Sequence, residues 1–111
     1  MAAAFEIPPA EVKLLLDAGA RLTLVDVREP MEFQIACIKG AELLPMADIP
    51  AALPRLESMA DDGMVIVFCH HGVRSFSVVN WLRSQGVEEC VSMAGGIERW
   101  SLEVDPSVPR Y

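Results

Sequence analysis

Residues 69–75, which read Cys-His-His-Gly-Val-Arg-Ser, place a thiol, two imidazoles and a guanidinium on one short segment. The segment follows the apolar run MVIVF at 64–68 and precedes a second apolar pattern. A cysteine that ends a buried strand is, on its own, most often a small core residue. Neighbouring cationic side chains and the start of a helix instead stabilise a thiolate, which is the nucleophilic form of cysteine. The pattern therefore favours a nucleophile at Cys69.

The helix after the loop is expected to begin at about Arg74 or Ser75, so its free amides would point back toward Cys69. Arg74 adds a fixed positive charge, and both loop histidines add charge when protonated. Gly72 can adopt a positive φ, which lets successive amides turn inward. The loop is thus predicted to form a small anion-binding cup with sulfur at its floor.

A metal site at Cys69, His70 and His71 is a weaker alternative. Adjacent residues in a tight loop rarely converge on one ion, and the sequence has no second cluster of Cys and His. The three cysteines, Cys37, Cys69 and Cys90, are odd in number and widely spaced. A disulfide framework or a zinc knuckle is therefore not expected.

The segments on both sides of this loop must position it, and along the chain strand-like segments alternate with helix-like ones. This alternation predicts an α/β fold with a mostly parallel sheet of about five strands, right-handed crossovers and helices on both faces. Ligands bind at the carboxyl ends of such strands, where Cys69 stands. The expected strands lie around Ile7 and within 21–29, 40–46, 64–68 and 88–94, and the expected helices within 8–20, 30–38, 48–63, 75–86 and 95–102.

Three local features of these elements are also predicted. Asp48 is expected to cap the third helix at its amino end. Phe76, Val79 and Leu82 are expected to share one stripe of the helix after the loop. Gly95-Gly96 is expected to allow a tight turn close to the loop.

The 111 residues predict a single domain over 1–111, with a core at about 5–101 and a proline-rich tail at 102–111. The composition is globular: 52% of residues are hydrophobic and 23% are charged. The net charge of −7 makes binding to nucleic acid or to an anionic membrane improbable. The amino terminus does not read as a signal peptide, and the cysteine usage favours a reducing compartment. We therefore predict a cytoplasmic protein.

Residues 69–75 resemble the active-site loop of the rhodanese family of sulfurtransferases, which reads Cys-x-x-Gly-x-Arg followed by Ser or Thr. Three further stretches resemble family signatures in the family's order: LVDVREPMEF at 24–33, IKGAELLPM at 38–46 and MAGGIERW at 93–100. The resemblance spans about residues 5–101. It implies a three-layer fold and no organic cofactor or metal.

The resemblance further implies a two-step transfer through a Cys69 persulfide. The donor would be a small anion such as thiosulfate, and the acceptor a thiol or, in an assay, cyanide. Cysteine phosphatases have five residues between cysteine and arginine, whereas four separate Cys69 from Arg74, which suits a single sulfur atom. The implied loop residues are His70, His71, Gly72, Val73, Arg74 and Ser75, with Arg74 either orienting the loop or binding the donor.

The sequence departs from the family pattern at two positions. Ala36-Cys37 stands where Gly-His is usual, and His70 stands where sulfurtransferases often have arginine, which makes the loop less cationic. Cys37 is expected to be a packed thiol rather than a resolving thiol for Cys69. Asp26, Arg28 and Glu32 are expected to form an ion-pair network bracing the turn beside the loop.

Three other functions stay open from the sequence. A sulfur-relay or binding module would take persulfide from a partner such as a sulfur-carrier protein and use free thiosulfate poorly. A non-catalytic interaction domain is disfavoured by the intact Cys-Gly-Arg loop. A redox sensor would require the Cα atoms of Cys69 and Cys37 to approach within about 7 Å.

Overall fold

A parallel sheet lies at the centre of the structure, a computed structural model that describes residues 4–111. In this part of the chain, five strands are arranged in the order β1-β5-β4-β2-β3, and every neighbouring pair is parallel. The sheet confirms the predicted fold class. The strands are β1 (Glu6–Ile7), β2 (Leu22–Asp26), β3 (Glu42–Leu43), β4 (Met64–Phe68) and β5 (Cys90–Met93).

Helices cover both faces of this sheet, as the alternating pattern predicts. The helices are α1 (Pro9–Asp17), α2 (Pro30–Ile35), α3 (Leu53–Asp62), α4 (Val73–Ser84) and α5 (Gly96–Glu103). One apolar cluster joins the odd-numbered residues of β4 to α3 and α4, and a second joins its even-numbered residues to α1 and α5.

Strand β4 is central because both of its neighbours, β2 and β5, pair with it along its length. Residues 65–68 are fully buried, which explains why this strand is continuously apolar rather than alternating. Since successive side chains point to opposite faces, Val65, Val67 and Cys69 share the face that packs on α3 and α4. This alternation of side chains along β4 therefore directs the Cys69 side chain toward α4, the helix that follows it.

The start of α3 differs from the prediction. Asp48 does not cap this helix; it lies in a short 3-10 turn at Met46–Asp48, and α3 begins at Leu53. Pro54 explains the difference, because proline is tolerated in the first turn of a helix but would break an interior turn. The chain therefore delays the helix until just before Pro54.

The predicted stripe on α4 is also partly wrong. The helix begins at Val73, slightly earlier than expected, and Phe76 is 41% exposed, whereas Val79 and Leu82 are fully buried. Ser75 takes the buried position instead, and the next residue is rotated by about 100° around the helix. Phe76 packs at the surface on Phe5, with ring centroids 5.6 Å apart.

Candidate active site

The Cys69 sulfur lies at the amino end of α4, where backbone amides converge on it. The amide of Gly72 lies 3.1 Å from Sγ and the amide of Ser75 lies 3.3 Å from it. The first amides of a helix have no acceptor within the helix, so they are free to bind the sulfur. Together with the helix dipole, they stabilise a negative charge at this position. The arrangement can hold an anionic sulfur in a site where Cys69 is only 1% exposed.

Gly72 makes the curl of the loop possible. Its φ is +101°, a left-handed conformation that other residues adopt only with strain. A side chain here would also press on the backbone of Gly95, since a Cβ would lie 3.1 Å from that amide nitrogen. The predicted role of Gly72 in turning amides inward is consistent with this geometry.

The amino end of α5 holds the other side of the loop. The amide of Ile97 donates to the Cys69 carbonyl at 2.9 Å, and the amide of Glu98 donates to the His70 carbonyl at 3.1 Å. A side chain at Gly96 would collide with both of these carbonyl oxygens. The predicted tight turn at Gly95-Gly96 is therefore confirmed, and it lets two helix ends meet at one cysteine.

Arg74 binds Glu32 rather than reaching into the cup. Its two terminal nitrogens donate to the two carboxylate oxygens at 2.7 and 3.0 Å. These bonds are the main reason that the pKa of Glu32 falls to about 2. Arg74 was expected either to orient the loop or to bind the donor. The geometry favours orientation of the loop, because both terminal nitrogens of Arg74 already bind Glu32.

Asp26 and Arg28 form a fully buried ion pair at the carboxyl end of β2. The guanidinium contacts both oxygens of Asp26, at 2.9 and 2.7 Å, and donates to the carbonyl of Ala36 at 2.6 Å. A buried pair of this kind needs every partner, since removing one leaves a charge unpaired. The predicted network thus forms with different pairs: Asp26 pairs with Arg28 and the Glu32 carboxylate pairs with Arg74. Arg28 still reaches Glu32 by donating to its backbone carbonyl at 3.3 Å.

The two loop histidines differ in their surroundings. The His70 ring is stacked between His71 and Tyr111, with ring centroids 3.9 Å apart on each side. Burial, reinforced by the neighbouring His71, lowers the pKa of His70. The same surroundings disfavour a positive charge on His70, whereas His71 is exposed. Val73 is also exposed, at 78%, and begins α4 without facing the sulfur.

Tyr111 is a site residue that no sequence pattern singles out. Its hydroxyl donates to Glu32 at 2.7 Å and accepts from Arg28 at 2.8 Å. It belongs to a proline-rich tail without regular structure, and no spacing in the sequence relates it to the loop. Only the path of the folded chain brings it there.

Cys37 is exposed, so the expectation of a packed thiol is wrong. Its neighbours Ala36 and Ile38 are buried, and in extended backbone the residue between two inward side chains points outward. Cys90 is buried, and burial raises the pKa of its thiol. Trp100 is also buried in the core.

Within residues 4–111, no group of three or more His, Cys, Asp or Glu side chains is arranged to hold a metal ion. No helix within the same range is both long enough and apolar enough to cross a membrane.

The comparison that decides the family is a match of residues 8–103 to the model of the rhodanese-like domain. The chain belongs to the rhodanese-like family. Among solved structures, the human single-domain sulfurtransferase TSTD1 has a TM-score of 0.78 and 25% identity, with 91% of this chain and 98% of that chain covered. The family predicted from the four motifs is therefore confirmed.

Curated relatives of this rhodanese-like chain are longer proteins. The Arabidopsis thaliana rhodanese-like/PpiC domain-containing protein 12, chloroplastic, is 40% identical over 89 residues, which is 79% of this chain and 30% of the relative. The probable adenylyltransferase/sulfurtransferase MoeZ of Mycobacterium tuberculosis is 33% identical over 105 residues, 95% of this chain and 26% of the relative. The chain thus spans less than a third of either relative.

The buried pair of hydroxyls beside the sulfur gives a first prediction. Ser75 Oγ lies 3.5 Å from Cys69 Sγ and 2.7 Å from Ser92 Oγ. Ser75→Ala should cost about 1–3 kcal/mol of unfolding free energy, because Ser92 is left without this partner. Reaction at the Cys69 sulfur should also slow by about tenfold, because Ser75 Oγ accepts from the thiol at 3.5 Å and the hydroxyl can turn to donate to the sulfur once the thiol proton has left.

The double variant Ser75→Ala/Ser92→Ala separates these effects. Removing both hydroxyls should restore most of the stability, whereas the slower sulfur transfer should persist. Urea unfolding and thiocyanate formation measure the two quantities. If stability and rate recovered together in the double variant, the Ser75 hydroxyl would have no direct role at the sulfur.

The Glu32–Arg74 pair predicts a pH dependence of stability. The pKa of Glu32 is about 2 in the folded chain, below its ordinary value of 4.5. The carboxylate therefore contributes stability above about pH 4.5, and this contribution is lost as the pH falls toward 2. Glu32→Gln should lower the unfolding free energy at pH 6 by about 1–2 kcal/mol. The gap should close toward pH 2.

Urea unfolding at several pH values measures this gap. Glu57→Gln, at an exposed position on α3, controls for the loss of one negative charge. A gap between Glu32→Gln and the parent that stayed constant down to pH 2 would contradict the assignment.

Proposed function

We propose that this rhodanese-like domain is a sulfurtransferase in which Cys69 carries sulfane sulfur, as a persulfide, from a donor to a thiophilic acceptor. The observation that supports this most directly is the convergence of the Gly72 and Ser75 amides on Cys69 Sγ. These preorganised amides stabilise the Cys69 thiolate that attacks the donor and that is regenerated when the sulfur leaves, and they do so without reorganisation.

In the first step, the Cys69 thiolate attacks the outer sulfur of a donor such as thiosulfate. A sulfur–sulfur bond forms on Cys69, and the sulfur–sulfur bond of thiosulfate breaks, so that sulfite leaves with the electron pair. In the second step, an acceptor such as cyanide attacks the terminal sulfur. Thiocyanate leaves and the thiolate is regenerated, so the cycle needs no cofactor.

The engagement of Arg74 supports sulfur transfer over phosphate hydrolysis. A phosphate dianion needs donors aimed into the cup, whereas Arg74 directs both terminal nitrogens to Glu32. The short spacing between Cys69 and Arg74 agrees with a cup built for one sulfur atom. The loop amides and the helix dipole then supply the positive potential.

The charges around the loop also favour a second candidate function, sulfur relay, in which the donor is a persulfide on a partner protein. Arg28 and Arg74 are each paired with a carboxylate, and burial lowers the pKa of His70, which disfavours a positive charge there. The chain also carries a net charge of −7, which repels a free dianion such as thiosulfate. A partner that binds this surface would supply sulfur without depending on that attraction.

Incubation with donor and then with cyanide tests both candidates. We expect thiocyanate to form, and the ratio of rates for thiosulfate and for a persulfidated protein identifies the donor class. A much faster reaction with the protein persulfide would favour sulfur relay. Absence of thiocyanate with every donor would contradict both. Because the reaction requires a reduced Cys69, we place it in a reducing compartment such as the cytoplasm.

A further inference from the structure

Residues 104–111, here called the strap, lie beyond the family match at 8–103 and are fastened along α5. Ser101 Oγ donates to the carbonyl of Val108 at 2.6 Å, and Val108 is buried in the core at 7% exposure. Arg110 donates twice to Glu98, at 3.0 and 2.9 Å. These anchors fix the path of the strap although it has no regular secondary structure.

The strap brings Tyr111 onto the loop that contains Cys69. Its ring lies nearly parallel to that of His70, with an angle of 11° between the planes. Its hydroxyl donates to the same Glu32 carboxylate that holds Arg74. Tyr111 therefore contacts the residue after Cys69 and the partner of Arg74 at once.

Tyr111 therefore covers one side of the loop through its contacts with His70 and Glu32. Cys69 is only 1% exposed, so a reagent reaches its sulfur only where the groups packed around the loop allow it. Tyr111 is itself 38% exposed. Burial and the bond to Glu32 raise the pKa of Tyr111 to about 12, so the hydroxyl stays a donor at neutral pH.

We propose that Tyr111 is a positioning and specificity-determining residue, which holds His70 and Glu32 over the loop and admits small reagents to Cys69 more readily than bulky ones. The proposal rests on the proposed function for its consequence in sulfur transfer: a compact acceptor would react faster than a large thiol. The restriction on access to Cys69 is a property of the folded loop, so it can be measured without any transfer of sulfur.

Alkylation of Cys69 tests this access directly. In a Cys37→Ser background, which removes the exposed thiol, the rate of Cys69 modification is measured by peptide mass for iodoacetamide and for a polyethylene-glycol maleimide. Tyr111→Ala should raise the maleimide rate by about tenfold and the iodoacetamide rate by less than about twofold. Tyr111→Phe, which keeps the stack but loses both hydrogen bonds, should give a smaller increase for maleimide.

Leu102→Ala is the matched control, because Leu102 is an exposed apolar residue on α5. It should change neither rate. Equal changes for the two reagents in Tyr111→Ala, or no change in either, would overturn the proposal. Melting temperatures of all variants show whether a general loss of stability explains faster modification of Cys69. Such a loss would raise the iodoacetamide rate and the maleimide rate together.

The transfer reaction supplies a second readout for an active protein. Tyr111→Ala should lower the KM for a tripeptide thiol acceptor by about fivefold or more relative to the KM for cyanide. A KM ratio that did not move would contradict the specificity role. If no sulfur transfer were found at all, the proposed function would fail while the alkylation experiment would still decide the role of Tyr111.

Discussion

Cys69→Ser should lower the rate of thiocyanate formation by at least about a thousandfold, because a serine hydroxyl is neither ionised nor nucleophilic enough to accept sulfane sulfur. The fold should persist, since serine is slightly smaller than cysteine and keeps a hydrogen-bonding group toward Gly72 and Ser75. Circular dichroism and a melting temperature close to that of the parent establish this.

Cys37→Ser is the matched control for this prediction. Cys37 is exposed and contacts none of the loop amides described above, so its replacement should leave the rate within about twofold of the parent. Loss of transfer in Cys37→Ser with retention in Cys69→Ser would move the nucleophile to the exposed thiol and contradict the account.

Gly96→Ala should have the second largest effect, because the new methyl group has no space. It would collide with the carbonyl oxygens of Cys69 and His70, which are backbone atoms that cannot rotate away. The φ of +61° adds left-handed strain. We expect a loss of about 3 kcal/mol or more in unfolding free energy, together with loss of sulfur transfer from a displaced loop.

Gly19→Ala separates the strain from the collision. Gly19 has a similar φ of +71°, but a Cβ built there meets nothing within 4 Å. It should therefore cost only about 1 kcal/mol and leave transfer unchanged. Urea unfolding of both variants gives the comparison. Similar losses at the two positions would show that the contact of Gly96 with the loop has no special importance.

Local sequence patterns were sufficient to predict how Cys69 is presented. The apolar run at 64–68 predicted a buried strand, and the pattern after it predicted a helix whose amino end faces the sulfur. Both follow from periodicity and from the free amides of a helix terminus, which depend on neighbouring residues only. The nucleophilic role of Cys69 stays a prediction until sulfur is found on it.

Contacts between distant residues could not be predicted in the same way. Glu32 was expected to join Asp26 and Arg28, but its carboxylate pairs with Arg74, which is 42 positions away. Tyr111 reaches Glu32 from 79 positions away. Which partner a charged side chain selects depends on how helices and loops pack, and no pattern in the sequence encodes those distances.

The wrong local predictions have local causes. Asp48 looked like a helix cap, but Pro54 prevents the helix from starting that early. Phe76 looked like a core residue, but Ser75 occupies the face of α4 that meets Cys69. Ser75, which contacts the sulfur, therefore stands in the buried stripe where a hydrophobic residue was expected, and a count of apolar positions cannot reveal this.

The mass of the protein after exposure to a sulfur donor, and before any acceptor is added, tests the central claim most directly. Peptide mapping should find one additional sulfur atom on the peptide that contains Cys69, and cyanide should remove it with formation of thiocyanate. No added sulfur with thiosulfate or with a protein persulfide, or sulfur found on Cys37 alone, would contradict the claim that Cys69 carries it.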